Sequence, residues 1–134
     1  MIETDDLRSK IFSALQASWG TATLIAWPNQ PFEPVKTSAW IRPVIRVANT
    51  QVGELGDDGV GLRDGLLSVS IFTPPGTGSK TALTLAERIE SYFRRADIDD
   101  IWFDEITSDP QGNDPNGFYH VLVTAPFHSW VGEA

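Results

Sequence analysis

Two histidines, His120 and His128, are the side chains of this sequence best suited to acid–base or metal chemistry. Both fall in one predicted strand, and their spacing of eight residues would place them on the same face of an uninterrupted strand. Pro126 lies between them and is expected to interrupt or bend that strand. A catalytic histidine needs a positioned partner and a metal pair needs a third ligand, and the neighbouring sequence supplies neither. We therefore interpret both as ordinary strand histidines.

An acidic cluster near the C-terminal third of the chain has the oxygen ligands that a hard cation prefers. It consists of Asp97, Asp99, Asp100, Asp104 and Glu105. Its spacing does not follow the calcium-binding loop, which takes ligands from alternate positions around a glycine. Residues 109–117 also carry oxygen ligands, but they include two prolines and miss the same pattern. Both segments are interpreted as solvated turns.

The segment Gly76–Thr81 precedes a predicted helix and has the composition of a phosphate-binding loop. The phosphate-loop pattern Gly-x-x-x-x-Gly-Lys-Ser/Thr requires lysine directly after its second glycine, but Ser79 lies between Gly78 and Lys80. The first glycine of the pattern is also missing. Pro74 and Pro75 also remove two backbone donors that a phosphate would need. The spacing argues against a nucleotide site, so we assign no catalytic, cofactor-binding or metal-binding residue.

The composition is that of a globular protein without disulfides. The chain has 134 residues, of which 41% are hydrophobic and 21% charged, and it has no cysteine. A chain of this length can bury about two thirds of its unfolded surface, so we expect one domain over residues 1–134. The formal charge of −8 disfavours nucleic-acid binding, because phosphates need a concentrated basic surface. The acidic N-terminus and the lack of a run of ~20 apolar residues predict a soluble, intracellular protein.

Two amphipathic helices and a set of strands must position these residues. Apolar residues recur at four-residue spacing from Leu7 to Trp19, with Thr4 as the expected cap and Gly20 as the terminator. A second apolar stripe predicts a helix after Ser79. Strands are predicted at residues 21–27, 40–48, 66–72, 101–106 and 118–130, with a glycine-rich connection at 51–61 and turns at 63–65 and 109–117.

The resulting order, α-β-β-β-α-β-β, predicts an α+β fold. We expect a mixed or antiparallel sheet of about five strands with two helices packed on one face. In the strand at 40–48, Arg42 and Arg46 lie on the outer face, opposite Ile41 and Ile45. Pro43 cannot donate a ladder hydrogen bond, so this strand is expected at an edge of the sheet.

The proline-rich segment 28–34 contains three prolines around Phe32 and should be extended. Two interpretations of Phe32 remain open. It either anchors the segment on its own core or belongs to an arm that reaches a neighbouring subunit.

Several short motifs resemble, in the same order, those of small tailed-phage and prophage proteins similar to tail terminators (minor tail protein U-like). They are Trp27–Phe32, Trp40–Pro43, Arg63–Gly65, Phe72–Gly78 and Leu85–Arg94, and the resemblance extends from Trp27 to Phe103. It implies an α+β subunit that forms a ring, commonly a hexamer. Such a ring caps the growing tail tube and prepares its end for joining to the head.

The resemblance also implies a virion tail protein, present in the host cytoplasm during assembly, that acts through surfaces, has no enzymatic activity and needs no cofactor. Its partners would be further copies of itself and tail-tube or head–tail joining proteins, without nucleic-acid readout and without a membrane. The candidate contact residues are Phe32, Arg42, Arg46, Arg63 and Asp64.

Two other functions remain as alternatives. One is a head–tail connector or neck protein of similar fold. The other is a small metal-dependent hydrolase that uses His120, His128 and the acidic cluster between Asp97 and Glu105.

Overall fold

A computed structural model of the protein describes residues 4–52, 60–98 and 100–132, which form two helices and one six-stranded sheet. The predicted α+β class and the arrangement of the helices are confirmed, with one more strand than expected. No helix among the described residues is long and apolar enough to cross a bilayer. The helices are α1 (Thr4–Trp19) and α2 (Lys80–Arg95), and the strands are β1 (Leu24–Ile25), β2 (Trp40–Val52), β3 (Val60–Thr73), β4 (Ile101–Phe103), β5 (Thr107–Asn113) and β6 (Tyr119–Gly132).

The strand order in the sheet is β1-β2-β3-β6-β4, and β5 pairs with β6 beside β4. Among the described strands only the β1–β2 pair is parallel, so the sheet is mixed. β3 and β6 therefore form its centre, while β2 lies towards one edge and β5 and β4 share the other. β1 pairs with β2 only at Trp40 and Ile41, which leaves the outer side of β2 at Pro43 without a strand partner among the described residues. This agrees with the expected edge position of Pro43.

Both helices cover the same face of the sheet, which we call the helix face. Alternate residues of the three long strands point to it and pack against the apolar stripes of α1 and α2. On the opposite face, which we call the open face, the side chains in the middle of the strands are exposed or half-buried. These are Arg42, Val44 and Arg46 of β2, Leu66, Ser68 and Ser70 of β3, and Leu122, Thr124 and Pro126 of β6.

The predicted turn at Arg63-Asp64-Gly65 is wrong. These residues lie inside β3, where Gly65 pairs with Val47 on one side and with Phe127 on the other. The glycine marks a close approach instead of a turn, because a Cβ at Gly65 would lie 2.2 Å from Cζ of Phe127. β2 and β3 also extend into the segment predicted as a connection at 51–61, and residues 53–59 lie outside the described part of the chain.

The predicted turn at 109–117 is also largely wrong, because β5 extends to Asn113. Pro110 is tolerated there since β5 is an edge strand, and a bulge between Pro110 and Gly112 absorbs the irregularity. The predicted strand at 101–106 is shorter and ends at Phe103, and the one at 21–27 contains only the two residues of β1.

Pro126 does not interrupt β6. Its carbonyl accepts a hydrogen bond from the Asp104 backbone amide at 2.9 Å, so its nitrogen faces the same side, towards the gap between β4 and β5. The missing N–H of Pro126 therefore removes no bond to β3, and β6 stays continuous from Tyr119 to Gly132.

Candidate assembly surface

A row of stacked aromatic rings lies at one end of the open face. The strand register places Trp40, Phe72 and His120 side by side on β2, β3 and β6. The ring centroids of Trp40 and Phe72 are 4.1 Å apart, and those of Phe72 and His120 are 4.5 Å apart. Phe32 packs on Trp40 at 5.0 Å and is half-buried. This contact favours the first interpretation of the proline-rich segment, in which Phe32 anchors it to its own sheet.

His120 is part of this stack, and its surroundings favour the neutral form of its ring. Burial lowers the pKa of His120 from its ordinary value, and the nearby carboxylate of Asp114 offsets only part of that effect. A neutral imidazole stacks on Phe72 without a buried charge. His120 therefore acts here as an aromatic packing residue.

The two predicted contact arginines of β2 are both exposed. The guanidinium carbon of Arg42 lies 5.0 Å from the centroid of the Trp40 ring, a cation–π geometry that orients the side chain above the aromatic row. Arg46 lies four residues further along the same face, about 13 Å away at strand spacing. The β2 edge thus presents two cations with a defined separation.

A histidine between two carboxylates lies at the opposite end of the open face. Nδ1 of His128 lies 2.5 Å from Oδ1 of Asp64, and Nε2 hydrogen-bonds the carboxylate of Asp104. Each ring nitrogen faces a carboxylate acceptor, an arrangement that favours the doubly protonated imidazolium, which donates to both sides. These bonds, first the one to Asp104, raise the pKa of His128 above its ordinary value despite partial burial. Trp102 is 40% exposed, and its ring centroid lies 5.7 Å from that of the imidazole.

The geometry of these residues does not form a metal centre. A histidine ligand must offer a lone pair, whereas both nitrogens of His128 donate to carboxylates. His120 is eight residues away along the same strand, about 26 Å at strand spacing. Among residues 4–52, 60–98 and 100–132, no group of three or more His, Asp or Glu side chains is arranged to hold a metal ion.

A groove of about 560 Å³ runs between the end of α1 and strand β1. Its walls are formed by Gln16, residues 20–25, Trp27, Ser38 and Ala39. None of these side chains is acidic, basic or a histidine, so the lining supplies no general base that could activate the hydroxyls of Thr21, Thr23 or Ser38.

The five residues predicted for protein contacts lie at different places. Arg42 and Arg46 share the open face, and Phe32 belongs to the aromatic row. Asp64 is engaged with His128, while Arg63 is half-buried and points to the other side of β3, because consecutive strand residues alternate. The partnership of His128 with Asp64 and Asp104 was not predicted from the sequence. Only the pairing of β3 with β6 brings Asp64 to His128, and the chain gives no local signal for a contact across 64 residues.

Comparison with known proteins identifies one family. Residues 6–109 match the family model described as phage tail terminator protein. No curated protein matches the chain. One solved structure is 17% identical, covers 100% of both chains and has a TM-score of 0.71. At that identity the likeness concerns the fold alone.

Proposed function

Because the chain belongs to the phage tail terminator family, we propose that it assembles into a ring that caps the tail tube and prepares the tube end for joining to the head. The family gives the protein a structural role in the phage tail. Its partners are accordingly other tail proteins, and its place is the tail of the virion. Ring formation, with six copies as the expected number, is the finer part of the proposal.

The match to the family over most of the chain carries this proposal. The architecture is compatible with it, because one face of the sheet is used for the internal core and the other presents a broad surface of exposed and half-buried side chains. A protein that acts by assembly needs such surfaces and does not need a catalytic constellation. Arg42 and Arg46 are the predicted contact residues that are best placed to meet a neighbour, since both are exposed at the edge of this surface.

Inactivation of the gene in the phage that encodes it tests the proposal. A terminator that is missing leaves tube polymerisation without a stop, so we expect tails of uncontrolled length that do not join heads, seen by electron microscopy of lysates. Supply of the protein from a plasmid should restore tails of one length. Tails of normal length that fail to join heads would contradict the terminator role and indicate the neck-protein alternative.

A further inference from the structure

The net charge of the chain is concentrated at its C-terminal end. Residues 96–134 contain eight Asp and Glu residues and no Lys or Arg, whereas residues 1–95 contain ten acidic and ten basic residues. The segment after residue 95 supplies β4, β5 and β6. Of these eight acidic residues, Asp104, Glu105 and Asp109 lie in or beside β4 and β5, at one edge of the sheet.

The two edges of the sheet carry opposite charges. At the β2 edge, Arg42 and Arg46 are exposed, and the described part of β2 and β1 has no acidic residue. At the other edge, Asp109 of β5 and Glu105 of the β4–β5 connection are exposed. Glu105 follows Asp104, whose carboxylate is already used by His128. The sheet is thus polarised from a basic edge to an acidic edge.

The strand register places Arg42 level with Asp109, and Arg46 level with Asp104, the neighbour of Glu105. One row across the open face runs from Arg42 through Ser70 and Leu122 to Asp109. A second row runs from Arg46 through Leu66 to Pro126. At its end, the backbone N–H of Asp104 donates a hydrogen bond to the carbonyl of Pro126. Glu105 is the next residue after Asp104. Arg42 and Arg46 are about 13 Å apart along β2 at strand spacing, and the two rows that start from them end at Asp109 and next to Glu105.

Neither edge is suited to continue the backbone ladder into a neighbouring sheet. Pro43 interrupts the donors of β2, and Pro110 with its adjacent bulge interrupts those of β5. Such features prevent indiscriminate pairing of edge strands. A contact between edges of two copies therefore depends on side chains, and charge decides which edges meet.

We propose that the basic β2 edge of one copy docks against the acidic β5–β4 edge of the next copy, with Arg42 opposite Asp109 and Arg46 opposite Glu105. This inference rests on the proposed function and identifies the subunit contact of the ring. The contact uses two different surfaces of the same chain, so it is head-to-tail and generates a closed ring when the rotation between copies closes. The two rows meet when the ring axis runs parallel to the strands. β2 and β5 then run antiparallel to each other, as neighbouring strands within the sheet already do.

Exposed ion pairs contribute little affinity individually, and their main effect is on orientation and choice of partner. In a closed ring the same two ion pairs recur at every contact between subunits. A small preference for the oppositely charged edge therefore acts each time a subunit is added. Like charges on both facing edges would oppose every contact at once.

Charge reversal tests the contact. Variant A carries Arg42→Glu and Arg46→Glu and has two acidic edges, and variant B carries Glu105→Lys and Asp109→Lys and has two basic edges. The control carries Lys80→Glu and Glu87→Lys, two exposed positions on α2 that belong to neither edge strand and leave the net charge unchanged. Circular dichroism and thermal unfolding verify that every variant is folded.

Light scattering and electron microscopy then measure assembly, at high concentration and on tail tubes. We expect the wild type and the control to form rings, and variants A and B alone to need at least about tenfold higher concentration. An equimolar mixture of A and B should assemble by alternation in a ring of even number. A chain with all four reversals should assemble whatever the number of subunits.

Three results would overturn the inference. Folded variants A and B that assemble like the wild type would show that these edges do not meet. If neither the mixture nor the fourfold variant assembles, variants A and B failed for a reason other than lost charge pairing. Wild-type protein that stays monomeric under all these conditions would instead overturn the ring itself, and the edge contact with it.

Discussion

At the scale of single residues, the Asp64–His128–Asp104 cluster couples the stability of the fold to pH. The raised pKa of His128 means that the folded protein holds this proton more tightly than the unfolded chain does. The stabilisation is therefore complete below the ordinary pKa of 6.5 and is lost as pH rises through the raised pKa. His120 acts in the opposite direction, because its lowered pKa makes the folded state less stable as pH falls below 6.5.

Replacement of His128 by glutamine should remove the first of these dependences. We expect the difference in free energy of unfolding between wild type and His128→Gln to be largest from about pH 5 to pH 6.5 and to shrink at higher pH. His120 titrates in both proteins, so its contribution cancels in the difference. Urea unfolding at a series of pH values measures this. A difference that is constant from acid to alkaline pH would contradict the charged state assigned to His128.

Gly65 is the residue where β3 passes beneath the ring of Phe127. A methyl group there would overlap the ring, with Cζ only 2.2 Å from the new Cβ. We expect Gly65→Ala to destabilise the fold by about 1–3 kcal/mol, because overlap in the core outweighs the gain of about 0.4–1 kcal/mol from a stiffer unfolded chain.

A second substitution provides the control for this prediction. Phe127→Leu removes the ring, so Gly65→Ala should cost less in that background than in the wild type. Thermal or urea unfolding of the four proteins measures the coupling. Equal costs in both backgrounds would show that the ring does not hold Gly65.

At the scale of elements, the aromatic row holds the proline-rich segment to β2. The ring of Phe32 packs at a tilt on Trp40, and Trp40 stacks on Phe72, so these side chains connect the segment to the sheet. This arrangement fits a segment in which Pro28, Pro31 and Pro34 cannot donate.

Truncation of Phe32 separates its two interpretations. We expect Phe32→Ala to lower the free energy of unfolding by about 1–2 kcal/mol, less than the ~3–5 kcal/mol typical of a fully buried phenylalanine. Ring formation by the folded variant should persist, since Phe32 contacts its own sheet. Unchanged stability combined with lost assembly would reverse this interpretation and make the segment an arm. Phe32→Leu, which keeps an apolar contact, is the matched control.

The sequence predicts elements well where a periodic pattern is long. The apolar stripes of α1 and α2 and the alternation in β2, β3 and β6 were sufficient to give the helix face and its core residues. Prediction failed where glycine and proline are used within strands. Gly65 and Pro110 are residue types that indicate turns when only the local sequence is considered. Gly65 lies in the sheet because the ring of Phe127 packs against it, and Pro110 lies in the sheet because β5 is an edge strand. Such causes are tertiary and leave no local pattern.

At the scale of the whole molecule, the same paired strands that build the core also define the surface. The pairing of β2 with β3 and of β3 with β6 brings Arg42 and Asp109 to opposite ends of one row, although 67 residues separate them in sequence. The exposed arginines were predicted from alternation alone, whereas their acidic counterparts required the position of β5. A subunit with one core face and one polarised sheet suits an assembly that is built by repeating a single contact.

The most direct test of the central claim is electron microscopy of tail tubes polymerised from the cognate tube protein with and without this chain. The proposed function predicts ring-shaped density at one end of each tube, coaxial with it, and no further growth from that end. Tubes that keep growing with bare ends, or that bind the protein along their length, would contradict it.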